Sequence, residues 1–135
     1  MIGDTITLPD NHTATGVLPD STSDTVVLAK VNQDGFGSEY RYRGAAYDYR
    51  LLVRNSIEAP RKDGTVLNRH NIEVQATLRA TADGSVPKDV PYYASMTIRA
   101  PSSGDSSVLL AVAGALGKLL SVNDDVLEKL DNFES

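Results

Sequence analysis

The chain has 135 residues and a mass of 14.5 kDa, enough for one domain and too little for two ordinary ones. Lys and Arg number 13 against 18 Asp and Glu, a net charge of −5, and 41% hydrophobic with 23% charged residues is a globular rather than a disordered composition. The absence of Cys excludes a disulfide framework, a thiolate metal site and a thiol nucleophile, and with His12 and His70 as the only histidines a His-rich zinc site is not expected.

The first hundred residues read as strands. Asp4 to Leu8 is a short alternating run ended by Pro9, and Thr13 to Leu18 is a weaker one ended by Pro19. Thr25 to Val31 is β-branched and apolar, and Asp34-Gly35 marks a turn after it. Tyr40 to Ile57 is long and tyrosine-rich, with a break suggested at Gly44. Pro60 to Gly64 is a turn. Asn71 to Ala80 alternates almost perfectly, Asp83-Gly84 through Pro87 and Pro91 is a loop, and Tyr92 to Ala100 alternates again until Pro101.

The last third changes period. Ser102 to Asp105 offers N-cap candidates, with Asp105 also suited to the positive end of a helix dipole. Val108 to Leu120 is predicted to be a strongly apolar helix, and Asn123 caps a second, short helix over Asp124 to Asn132 with Val126, Leu127 and Leu130 on one side. The expected class is α+β: an antiparallel sheet of six or seven strands over residues 1–101, then two C-terminal helices over 102–135, in one domain.

Neither end of the reading suggests a membrane. The N-terminal Met1-Ile2-Gly3-Asp4 lacks the basic and apolar regions of a secretory signal. The longest apolar stretch, Val108 to Leu120, is 13 residues where a span needs roughly 20. The expectation is a soluble, intracellular protein.

Charge is unevenly distributed. Residues 105–135 carry −4, whereas residues 40–80 hold eight Arg or Lys and four Asp or Glu, a local +4. The sequence pI of 4.9 argues against non-specific coating of nucleic acid, yet a basic face can still bind phosphate.

Alternation sorts the strands into faces, because side chains point to opposite sides at period two. Ile72, Val74, Ala76, Leu78 and Ala80 share one side, and Asn71, Glu73, Gln75, Thr77 and Arg79 the other. Tyr92, Ala94, Met96, Ile98 and Ala100 are likewise separated from Tyr93, Ser95, Thr97 and Arg99. In the strand around 48–57, Asp48, Arg50, Leu52, Arg54 and Ser56 share a parity. Such a polar face is either the solvated side of an antiparallel sheet or an RNA platform, with Arg for phosphates, Tyr for stacking and Gln, Thr and Ser for base edges.

The helix Val108–Leu120 is apolar nearly all round, where a surface helix would show a polar face. One side can cover the sheet; the other needs a partner, most simply a second copy, which Ala111, Ala113, Gly114, Ala115 and Gly117 would let approach closely. At ~25 cal/mol per Å2, hiding a few hundred Å2 contributes several kcal/mol. The alternative is a helix buried wholly within one subunit. The expected dimer-interface residues are Val108, Leu109, Val112, Leu116, Leu119 and Leu120.

No enzyme signature is present: there is no P-loop, no Gly-x-Ser-x-Gly and no His-Glu-x-x-His. Asp34-Gly35-Phe36-Gly37 reads as a turn, Arg69-His70-Asn71 as a strand entrance, and Asp124-Asp125 as compensation of a helix dipole. No catalytic residue, cofactor or metal is expected.

The run Tyr92 to Asp105, the preceding Arg69 to Leu78, and the order of elements resemble the coat proteins of single-stranded RNA bacteriophages of the levivirus and allolevivirus group. The resemblance implies an intertwined homodimer in which two sheets join edge to edge and each subunit's helices lie over the partner. It implies assembly into an icosahedral shell around the RNA genome, helices outward and sheet inward, in the cytoplasm of a bacterial host. It implies that the inner face binds an RNA hairpin and represses replicase translation, through Arg50, Arg54, Ser56, Glu73, Gln75, Thr77, Arg79, Tyr93, Ser95, Thr97 and Arg99. Tyr93 looks like the family's base-stacking tyrosine, Ser95 stands for a hydrogen-bonding Asn or Asp, Thr77 stands where many relatives have Lys, and Glu73 departs from the pattern because a carboxylate repels phosphate. The acidic C-terminal segment would face outward, and loop 82–90 would mediate contacts between dimers. The other reading is a non-viral dimeric β-sheet module binding nucleic acid or protein.

Overall fold

The computed structural model describes residues 3–9, 25–44 and 47–122. Six strands form one antiparallel meander in chain order: β1 (Thr5–Pro9), β2 (Thr25–Gln33), β3 (Gly37–Arg43), β4 (Tyr47–Ile57), β5 (Leu67–Leu78) and β6 (Val90–Pro101). One helix follows, α1 (Ser106–Val122). The predicted run Thr13–Leu18 and the second helix over Asp124–Asn132 lie outside the described residues.

Each strand ends where its chemistry demands. The β2–β3 turn is held by the Phe36 amide donating to Asp34 Oδ1 at 2.8 Å. Gly37 then lies so close to β4 that a Cβ would collide with the Val53 carbonyl oxygen. Gly44 separates β3 from β4, as the break in the tyrosine-rich run suggested, with its amide bonded to the Tyr47 carbonyl at 2.8 Å. Gly64 and Gly84 take positive φ in the β4–β5 and β5–β6 connections, where a side chain would be strained. Prolines within strands occur on β1 (Pro9) and β6 (Pro91 and Pro101), the two edges, where a missing amide hydrogen breaks no central ladder.

Both ends of β5 differ from the sequence reading, and β2, β6 and α1 each run a few residues longer than expected. β5 begins at Leu67, not Asn71, because Asn68, Arg69 and His70 pair with β4 and β6 although their side chains show no apolar alternation. It ends at Leu78, so Arg79 and Ala80 lie beyond it; the Ala80 amide turns away to Asp89 Oδ1 at 2.8 Å and opens the loop.

The sheet buries the middle of one face, while Ile57, Ile72 and Tyr92 on the same side stay exposed. Leu28, Tyr40, Tyr49, Leu51 and Val53 form its core, flanked by Ile6, Val26, Tyr47, Val74 and Ala76. These residues coincide in register: Tyr40 opposes Leu51, Leu51 opposes Val74, and Val74 opposes Ala94. The Tyr40 hydroxyl, on a fully buried ring, donates to the Gly3 carbonyl at 2.9 Å and ties the N-terminal edge to the middle of the sheet. A bulge at Val31 inserts one residue into β2, so that Lys30 opposes Tyr40 but Asn32 opposes Glu39.

Asp105 caps α1 as expected, its Oδ1 accepting from the Ser107 amide at 2.8 Å. That bond holds its carboxyl below the usual carboxylate range. The helix does not lie on its own sheet, contrary to the expectation that one side would cover it: α1 makes no extended contact with any strand. Val108, Leu110 and Val112 are 61, 72 and 66% exposed, and Leu116 and Leu119 are 44 and 46% exposed. The chain reverses at Pro101 through the Gly104 amide to the Pro101 carbonyl, while the Ser102 amide bonds the Val66 carbonyl, and the helix leaves from that corner. Of the expected interface residues, Leu109 alone is half-buried, and the side chain of Leu120 lies outside the described residues.

Candidate nucleic-acid interface

The face opposite the core is polar, and the register lays it out in rows. Arg41, Arg50, Gln75 and Tyr93 stand side by side across β3 to β6. On one side of that row lie Arg43, Asp48, Thr77 and Pro91. On the other lie Glu39, Leu52, Glu73 and Ser95, then Gly37, Arg54, Asn71 and Thr97, and finally Ser56, Arg69 and Arg99. Ten of the eleven residues named from the sequence therefore occupy one face, and Arg79, just past β5, joins them by reaching Asp48. Tyr92, by contrast, belongs to the apolar side, opposite Ala76.

Charges on this face are largely matched within the chain. Glu39 Oε1 accepts from Arg41 Nε at 2.7 Å and from Arg50 Nε at 2.8 Å. The Arg50 hydrogen bond, then that of Arg41, lowers the Glu39 carboxyl to about 2. Arg79 Nη2 donates to both Asp48 oxygens, at 2.7 and 2.9 Å, and its Nε donates to Oδ2 at 3.2 Å. Arg54 pairs with Asp34, whose carboxyl is lowered first by the Phe36 amide and then by that guanidinium. Arg99 Nε meets Glu58 Oε1 at 2.8 Å. Gln75 Nε2 donates to Thr77 Oγ1 at 3.3 Å. Two buried polar atoms on the face, Arg69 Nε and Asn71 Oδ1, have no partner.

The sequence reading missed Arg41, Arg43 and Glu39 because it sorted faces only from residue 48 onward; extending parity across the Gly44 hairpin places them. It passed over Arg69 as a strand entrance, although Arg69, Asn71 and Glu73 share a parity.

No group of three or more metal-ligating side chains exists among the described residues. His70 Nδ1 lies 2.8 Å from Asn55 Oδ1 on the apolar side, away from the arginine rows. A shallow hollow of about 230 Å3 borders Arg41, Arg43, Asp48, Arg50, Gln75 and Thr77, open to solvent as a binding surface would be and not enclosed as an active-site cleft would be.

A family model for the phage phiCb5 coat protein matches residues 3–101, from the first described residue to the last residue of β6. The chain belongs to this phage coat protein family. The match spans the whole sheet and stops before α1. Among curated proteins none matches the chain. Membership makes the protein a structural subunit of a phage capsid, with the virion as its location.

Proposed function

We propose that this coat protein forms an intertwined homodimer, that the dimers close into an icosahedral shell, and that the arginine-bearing face lines the interior and binds single-stranded RNA. The observation that carries the proposal is the two-sided character of the subunit: an apolar helix unpacked on its own sheet, and a polar, aromatic and arginine-rich face opposite the core. The open edge of β6 offers twelve residues for antiparallel pairing with its twin, and α1 then lies over the partner's apolar face. Tyr93, 63% exposed beside Gln75 and Arg50, offers a stacking ring flanked by a base-reading amide and a cation. That trio supports recognition of a hairpin and, through it, repression of replicase translation during assembly in a bacterial cytoplasm.

Expression of the full chain alone tests the proposal. The expected product is megadalton particles containing nuclease-protected RNA. A discrete RNA-free dimer would overturn it and favour a dimeric binding module.

A further inference from the structure

The seven arginines of the polar face are not equivalent. Arg41 and Arg50 share Glu39, Arg54 holds Asp34, Arg79 holds Asp48, and Arg99 holds Glu58. Five guanidiniums are thus committed to four carboxylates of the same chain. Arg43 and Arg69 have no carboxylate partner among the described residues.

Geometry explains both exceptions. Arg43 stands directly opposite Asp48 in the β3–β4 ladder and would be its natural partner. Arg79 reaches over from the end of β5 and occupies both Asp48 oxygens, which leaves Arg43 exposed at the rim of the hollow it shares with Arg41, Gln75 and Thr77. Arg69 sits at the other end of the face, between Ser56 and Arg99. Its Nε is buried without an acceptor, and beside it in the next row Asn71 Oδ1 is buried without a donor. Leaving a buried donor of a charged side chain unmet is unfavourable, so Arg69 gains by meeting an acceptor at the surface. An RNA phosphate supplies such an acceptor to the guanidinium of this half-buried side chain.

Resting on the reading of this face as an RNA surface, we infer that Arg43 and Arg69 are its phosphate contacts. The other five arginines, Arg50 near the Tyr93 ring included, are already paired with carboxylates of the same chain and contribute less to phosphate binding. The two sites lie eight residues apart along β4, about 27 Å at roughly 3.4 Å per residue. They bracket the Tyr93 row, so a strand anchored at both ends passes over the exposed ring.

The test is titration of dimeric full-length protein with a labelled single-stranded oligouridylate across a salt series. Arg43→Gln and Arg69→Gln are each expected to weaken binding about tenfold and to reduce the slope of log affinity against log salt by about 0.7, the value of one phosphate contact on a single strand. Arg43→Lys and Arg69→Lys keep the slope, which separates lost charge from lost folding. Arg54→Gln and Arg99→Gln weaken binding at least threefold less than the first pair. Glu39→Gln, which releases Arg41 and Arg50, steepens the slope. Equal losses across all four arginine-to-glutamine variants overturn the assignment while the RNA reading stands. Wild-type dimers that bind no RNA overturn both.

Discussion

Arg79 and Asp48, thirty-one positions apart in sequence, grip one another through three hydrogen bonds across the end of the β4–β5 ladder. Both side chains remain more than a third exposed, so water screens the pair, and its net contribution to stability is expected to be small. Arg79→Ala should therefore shift the urea midpoint only slightly. A loss of several kcal/mol would mean that the pair closes the loop after β5 and does not merely decorate it.

Glu39 supplies a pH dependence with a definite sign. Its folded carboxyl titrates at about 2, below the ordinary 4.5, because two arginines favour the charged form. The stabilisation is therefore complete above about 4.5 and is lost as pH falls toward 2. Unfolding midpoints recorded between pH 6 and 2 should fall more steeply for wild type than for Glu39→Gln. Parallel curves would show that Glu39 contributes nothing to acid lability.

The two adjacent tyrosines of β6 should behave differently, since neighbours on a strand face opposite ways. Tyr93→Ala removes a stacking surface on the polar face and should weaken single-stranded RNA binding by about 1–3 kcal/mol. Tyr92→Ala, on the apolar side, should leave RNA affinity close to wild type and weaken association of subunits. Sedimentation and filter binding on the same samples separate the two effects; a reversed pattern would invert the face assignment.

Val112, 66% exposed on α1, tests whether the helix is an association surface. Val112→Asp should abolish dimers at micromolar concentration while circular dichroism still reports the strands. An unchanged dimer would place subunit contacts elsewhere. Asp105→Ala offers a milder probe: loss of the N-cap bond should weaken the first turn of the helix and lower helicity in the free subunit.

Much of this was legible in the sequence, for reasons specific to particular residues. The alternation of Ile72, Val74 and Ala76 with Glu73, Gln75 and Thr77 fixes both the strand and its faces, and those faces recur in the ladder. Asp105 announces the helix start through its chemistry alone. The start of β5 was not legible because Asn68, Arg69 and His70 owe their strand conformation to neighbours on both sides, which no local pattern records. The pairing of the arginines was hidden for a similar reason. Arg43 and Arg79 both lie within reach of Asp48, and only the fold decides which of them keeps it. The sequence also suggested that α1 would partly cover its own sheet; apolarity identifies what must be covered but not by which molecule.

The outermost strand carries an evolutionary corollary. An edge ladder reads amides and carbonyls, not side chains, so pairing along Val90–Pro101 tolerates substitution at nearly every position. Tyr93, Ser95, Thr97 and Arg99 can therefore change independently of Tyr92, Ala94, Met96 and Ile98, which stand on the opposite face. A coat subunit can thus rework one side of its sheet without disturbing the other, because the two sets are inscribed on alternate letters of the same line.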